Sequence, residues 1–467
     1  MSDSPMRVLS LDGGPGPLVL IRVLAKLEKR YPGFLAKTEM FAGTSSGALM
    51  SLFLAKKLSE EQPLPTQKIL EECITYTQEI LASFQIKAGG VLRLASGFGP
   101  LVDGEQFREV LKKHLGKDTT LKQLKPKVSI LAFDAYRSVG KTFTWSQYLP
   151  GDPANLVNVA QASASLPLFL PIYREKLKSH AKKKNPETHT SMLDGVATNN
   201  NPTLAALGDT LLHMSWDHYG GRGWDQATNF RMIPRLKILS LGIDPLRQND
   251  AGEQLEGAVL KDRIAPWGYW RLLARRLPEF PIRLLQGQAD YTHRHTKTIL
   301  GVFKYQRFQP YVPPLEALYG LLALPPDVAQ GLKKTLKHLP VARRLATVPL
   351  TLDEMNDWLD QRANEIWAKE LEKYKAVETF LGMNASDRKQ YLPDMKKVGI
   401  PVYPDGAPSE PNFNAEWWES LLWWVEAVWM AEAEWPPPPP QPPLKARSVF
   451  DPRGVYPPGP APTEEPA

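Results

Sequence analysis

Two glycine-rich turns, each set between a short apolar run and a longer apolar stretch, do most to limit what this chain can fold into. The first follows Arg7 to Leu11 and reads Asp12-Gly13-Gly14-Pro15-Gly16. After it Leu18, Ile21, Leu24 and Leu27 recur at helical spacing, with Pro17 near the helix start, where its missing N–H costs nothing. The second turn, Gly43-Thr44-Ser45-Ser46-Gly47, follows the apolar Met40 to Gly43 and leads into the apolar Ala48 to Ala55. Strand, tight turn, helix, repeated, points to an α/β sheet with helices on both faces. Val128 to Phe133, Phe169 to Tyr173 and Leu236 to Leu241 read as further buried strands.

The second turn is a G-x-S-x-G sequence in the setting a nucleophile elbow needs. Its glycines let the chain turn sharply and hold the serine oxygen above the sheet edge. The plainer alternative is that Ser45 caps the following helix. The first turn, with a helix N-terminus behind it, could hold an oxyanion or a phosphate on its amides. A dinucleotide fingerprint would need a third glycine where Val19 stands, and a phosphate-binding loop would need a Gly-Lys-Ser/Thr ending, so both fail. An oxyanion hole or a plain turn remains. Asp194-Gly195, after the apolar Met192 and Leu193 and before a helix starting near Thr203, is on its own an ordinary turn. A serine hydrolase needs a proton acceptor, however, and no histidine follows the elbow in a comparable strand-end setting, so a carboxylate is the natural substitute.

The ordered set Asp12-Gly13-Gly14, Gly43-Thr44-Ser45-Ser46-Gly47, Ala162-Ser163-Ala164-Ser165-Leu166-Pro167, and Asp194-Gly195 with Asn200-Asn201-Pro202 resembles the patatin-like phospholipase family. Leu236 to Gly242 also resembles a strand that the family carries after its catalytic Asp, and the resemblance runs from about Arg7 to Tyr311. It implies a three-layer α/β/α fold and a Ser-Asp dyad that hydrolyses fatty-acyl esters of glycerophospholipids through an acyl-enzyme. In that scheme Ser45 is the nucleophile, Asp194 takes its proton, and amides of Gly13, Gly14 and Gly16 stabilise the oxyanion. No metal or organic cofactor is needed. The family turn usually reads Asp-Gly-Gly-Gly-x-Lys/Arg-Gly. Here Pro15, which has no N–H to donate, replaces the third glycine, the basic residue is absent, and Val196 stands where many members keep a glycine.

Bulk properties narrow the setting. No secretory signal is visible, and the longest apolar stretches, such as Leu421 to Val425, fall far short of the roughly 18 to 20 residues a membrane span takes, so a soluble, cytoplasmic protein is expected. One cysteine, Cys73, excludes an internal disulfide and a thiolate cluster, and the eight histidines show no metal-ligand spacing. The formal charge of +7 suits an anionic partner. Read with the resemblance, that partner is a phospholipid membrane surface met peripherally, and nucleic acid is not expected.

Two segments could serve that contact: Arg263 to Gln286, which interleaves Trp267, Trp270 and Leu273 with Arg271, Arg275 and Arg276, and the basic Lys176 to Lys184. A lid or internal helix for the first and simple solvation for the second are the bland alternatives. A second aromatic stripe, Trp417 to Trp429, carries Glu416, Glu419 and Glu426 on its polar side, so it should pack on the body, or on a second subunit in a homo-oligomer. These features divide the chain into a catalytic domain over 1–310, a helical C-terminal extension over 311–435, and a Pro-rich, disordered tail over 436–467. The rival functions are an esterase or lipase on neutral acylglycerols, and a non-catalytic scaffold binding anionic lipid.

Overall fold

The computed structural model describes residues 5–14, 17–84, 100, 102, 104–144, 154–167, 169–176, 189–219, 233–243, 279–301, 304–309, 421–422 and 424–431. Their centre is a sheet of eight strands: β1 (Met6–Leu11), β2 (Met40–Thr44), β3 (Lys127–Asp134), β4 (Val139–Thr144), β5 (Tyr173–Lys176), β6 (His189–Asp194), β7 (Leu236–Leu241) and β8 (Tyr305–Phe308). The strands β3, β2, β1, β7 and β8 lie side by side and parallel, while β4 and β6 pair antiparallel with β3, and β5 with β6.

Parallel strands covered on both faces need apolar residues in both directions, and β1 shows this as an unbroken buried run. Leu9 and Leu11 point into one core and Val8 into the other. The first core lies under α1 (Pro17–Arg30), α2 (Ser46–Ser59), α3 (Thr66–Ser83), α4 (Glu105–Leu115) and α5 (Leu156–Ala164). The second lies under α6 (Thr203–Tyr219) and the end of α7 (Glu279–Leu300). Helices, sheet and helices make the three-layer α/β/α architecture.

One expected strand is shifted. Phe169 to Ile172 form no strand; β5 starts only at Tyr173. The amides of Phe169 and Leu170 both turn back to the Leu166 carbonyl, and Pro171 has no N–H to give a ladder.

The C-terminal aromatic stripe packs on the body where it is described. Leu421, Leu422, Trp424, Val425, Val428 and Trp429 are buried in the first core, and the Trp429 ring stacks on Phe34 with centroids 5.1 Å apart. Residues Val425–Trp429 form a π-helical turn whose end is held by basic side chains from the sheet. Arg7 donates from Nε to the Trp429 carbonyl (2.7 Å) and from a terminal nitrogen to that of Ala431 (2.9 Å), which also accepts from Lys237 Nζ (2.6 Å). Cations on the last carbonyls of a helix are favourable because those carbonyls lack partners and carry the negative end of the dipole. The remainder of the expected extension, the Pro-rich tail, and residues 177–184 and 263–278 of the two segments expected at a membrane lie outside the described residues. Among the described residues no helix is long and apolar enough to cross a membrane.

Candidate active site

The strand order reverses beside β1, with β2 on one side and β7 on the other, and the crevice beyond the carboxyl ends of such strands is where open α/β sheets bind ligands. Ser45 lies there, between β2 and α2. Its φ of 52° and ψ of −121° are strained for a residue with a side chain, as expected of a nucleophile elbow. The flanking glycines are needed for close packing. A Cβ on Gly43 would stand 2.5 Å from the Ala48 Cα, and one on Gly47 would stand 2.1 Å from the Leu11 carbonyl oxygen, so α2 could not then sit against β1.

Strand register brings Asp194 to this serine. The first half of β3 pairs with β2 up to Thr44 opposite Leu131. Its second half pairs on the same edge with β6, which arrives from the other direction and ends with Asp194 opposite Ala132; β4 occupies the other edge. Two strands thus run head-on along one edge and stop at adjacent positions, one ending in Thr44-Ser45 and the other in Asp194. Gly195 makes the junction fit: a Cβ there would stand 2.3 Å from the Leu131 carbonyl oxygen and 3.1 Å from Thr44 Cγ2.

At the junction Ser45 Oγ donates a 2.7 Å hydrogen bond to Asp194 Oδ2, and Asp194 Oδ1 accepts from the Val196 amide at 2.9 Å. Both carboxylate oxygens are therefore engaged. Asp194 is fully buried, and burial pushes its pKa up to about 7 against the opposing pull of the Val196 and Ser45 hydrogen bonds. A carboxylate of that pKa is a far better proton acceptor at neutral pH than an exposed aspartate. The elbow is held from a third side by α5. Ser163 Oγ accepts from the Ser45 amide at 3.0 Å and donates to the Leu131 carbonyl at 2.5 Å, and the Ser165 carbonyl accepts from the Asp194 amide at 3.0 Å.

The Asp12 to Gly14 turn borders the same crevice. Ser46 Oγ donates to the Gly14 carbonyl at 2.7 Å, tying the turn to the start of α2. Of the three glycines expected to donate to an oxyanion, Gly13 is already committed, because its amide donates to the Asn200 carbonyl at 3.2 Å. Gly14 has a φ of 125°, a conformation that suits glycine, and Gly16 lies outside the described residues. Of the amides at the start of α2, those of Ala48 and Leu49 donate to the Ser45 carbonyl, at 2.9 Å and 3.1 Å, and the Ser45 side chain makes no cap.

Asp12 itself faces inward. Arg307, buried on β8, grips it with both terminal nitrogens, at 3.1 Å and 2.5 Å, and also donates to Ser240 Oγ and Gln309 Oε1 at 2.7 Å each. Burial pushes the Asp12 carboxyl up while the guanidinium pulls it back down. Nothing in the sequence marks Arg307, which stands 295 residues away. Ser163 and Asn200 fall in motifs the sequence exposes, although their contacts with the elbow and the turn do not show there. His293 is half-buried against Tyr305, at 3.0 Å from its hydroxyl, and desolvation pulls its pKa down to about 3, leaving it neutral. Among the described residues no group of three or more His, Cys, Asp and Glu side chains is placed to hold a metal ion.

Residues 9–207 match the family model for patatin-like phospholipase. Patatin-like protein 1 of Arabidopsis thaliana is 28% identical over 219 residues, which cover 44% of this chain and 51% of that protein. Patatin-2-Kuras 3 of Solanum tuberosum is 26% identical over 214 residues, 43% of this chain and 52% of that protein. The chain thus spans about half the length of the curated relatives it matches. Among solved structures, VipD from Legionella pneumophila aligns at 12% identity and a TM-score of 0.28, over 85% of this chain and 80% of that one.

Proposed function

From the match of residues 9–207 to the patatin-like phospholipase family model, we propose that this chain is a lipid acyl hydrolase that cleaves fatty-acyl esters of glycerophospholipids through a Ser45–Asp194 dyad. The observation that carries the reading is the 2.7 Å hydrogen bond from a serine on a strained elbow to a fully buried carboxylate.

Asp194 takes the Ser45 proton as Oγ bonds to the ester carbonyl carbon, and the carbonyl electron pair moves onto oxygen. The Gly14 amide and the amide of Ser46, the residue after the nucleophile, hold that oxyanion. Collapse re-forms the carbonyl and breaks the bond to the leaving alkoxide, which takes the proton from Asp194 and departs as the alcohol of a lysophospholipid. Water then gives a proton to Asp194 and attacks the acyl-Ser45 ester; the second collapse returns that proton to Ser45 and frees the fatty acid. Gly13 and Asn200 keep the turn in register with the elbow.

Fatty-acid release from mixed phospholipid vesicles by the wild type, Ser45→Ala and Asp194→Ala tests the reading. Folded variants that both lose release by a factor of about 10³ or more support it. Release that survives in Ser45→Ala, or a fluorophosphonate label that ignores Ser45, refutes it. Preference for triacylglycerol over phospholipid would keep the dyad and change the substrate.

A further inference from the structure

We infer that the β3–β4 hairpin tip dips into an anionic phospholipid surface and sets the dyad at its working depth, an inference that rests on the lipid-hydrolase reading above. The tip exposes an aromatic and a branched apolar side chain beside a cation. Tyr136 is 69% exposed and Val139 50%, and the Arg137 side chain is 63% exposed with its Nε 4.0 Å from the Asp134 carboxylate.

The tip is a built turn. Asp134 Oδ1, buried beneath it, accepts from the amides of Tyr136 and Arg137 at 3.0 Å and 3.1 Å, and Ser138 closes the turn with a φ of 55°. Its root is fixed to the site. Gly140 lies so close to Thr198 that a Cβ would stand 2.5 Å from Thr198 Cγ2, and Thr198 Oγ1 in turn donates to the Ala132 carbonyl at 2.7 Å. Thr198 belongs to the loop that follows Asp194, so the hairpin and the base share one support.

Register then gives the depth. Asp194 is level with Ala132, and Asp134 lies two strand steps beyond, about 7 Å, with Tyr136 further out. An apolar tip seated about 5–10 Å into the headgroup boundary would hold the dyad just outside it, within reach of an ester drawn out of the leaflet. The segment leading into β5 adds Ile172, 50% exposed, β5 itself adds the exposed Arg174, and Leu166 is exposed beside Ser165. Arg137 and Arg174 are the charged residues among those described as exposed in 135–140 and 165–174, which matches an anionic leaflet. Tyrosine and arginine also suit the interface by chemistry, each carrying an apolar body and a polar end.

The test uses the full chain and vesicles of ether-linked phosphatidylcholine, with and without ether-linked phosphatidylserine, which a hydrolase cannot cut. The Tyr136→Ser/Val139→Ser variant should bind the mixed vesicles at least about tenfold more weakly than the wild type, and Arg137→Gln should lose most of the gain that phosphatidylserine gives. Both should hydrolyse a water-soluble short-chain nitrophenyl ester at the wild-type rate. Undiminished vesicle binding by the double variant overturns the inference, as does a wild type that binds no vesicle, in which case the tip faces a protein. A parallel loss of ester hydrolysis overturns it too, because the tip would then belong to the catalytic fold. If the wild type binds vesicles through the tip but cleaves no ester, the docking surface stands and the dyad falls.

Discussion

Replacing Asp194 with asparagine should abolish hydrolysis and yet make the protein more stable at pH 8. The native carboxyl is buried and titrates at about 7, against an ordinary value of 3.8. At about 1.4 kcal/mol per pH unit, that gap amounts to about 4 kcal/mol. The sign follows from which state holds the proton. Below pH 3.8 both folded and unfolded chains carry it and the group costs nothing. As pH rises the unfolded chain ionises first, so the stability of the protonated native state is lost through the window up to about 7. Linkage puts the loss at about 2 kcal/mol at pH 5 and about 4 kcal/mol at pH 8. Asparagine keeps the hydrogen bonds, with its oxygen accepting from the Val196 amide and its nitrogen donating to Ser45 Oγ, so the exchange adds little of its own. Urea unfolding of both proteins at pH 5 and pH 8 checks this: the stability gain of Asp194→Asn should grow by about 2 kcal/mol between the two. An equal gain at both pH values, or a less stable variant at pH 8, refutes the reasoning. The same pKa predicts that kcat/KM of the wild type rises with pH through about 7 and then levels.

Two further outcomes follow from the same geometry. Ser45→Gly should be more stable than Ser45→Ala by about 1–2 kcal/mol, because glycine accepts the φ of 52° that alanine does not; equal melting temperatures would argue against strain at the elbow. Arg307→Met should cost about 3–5 kcal/mol by leaving the Asp12 carboxylate buried without its counter-ion, and adding Asp12→Asn should restore a large part of it, as read by thermal melting.

The sequence makes the α/β architecture plain where the pattern is local. The runs Arg7 to Leu11 and Met40 to Gly43, each followed by glycine and a helical period, become β1–α1 and β2–α2 with little change. Phe169 to Tyr173 misleads because an apolar run of five does not reveal that Leu166 captures two of its amides. The pairing of Ser45 with Asp194 depends on two strands sharing one edge of β3 across 149 residues, a fact of register that no residue spacing encodes. The motifs select both residues, but the full burial that lifts Asp194 comes only with the fold. Arg307 is silent for the same reason: an arginine in a strand is ordinary until Asp12 is found opposite it.

The clasp of the 424–431 turn on Arg7 and Lys237 bears on when the molecule comes into being during synthesis. A chain leaves the ribosome N-terminal end first, and the contact between Arg7 and Trp429 joins residues 422 positions apart. The layer packed around Phe34 therefore waits, with part of its apolar wall unfilled, for tryptophans translated long after the elbow itself. Closing so long a loop is slow, so the growing polypeptide carries Ser45 and Asp194 well before it carries a finished core around them. Assembly is thereby timed to the late stages of translation.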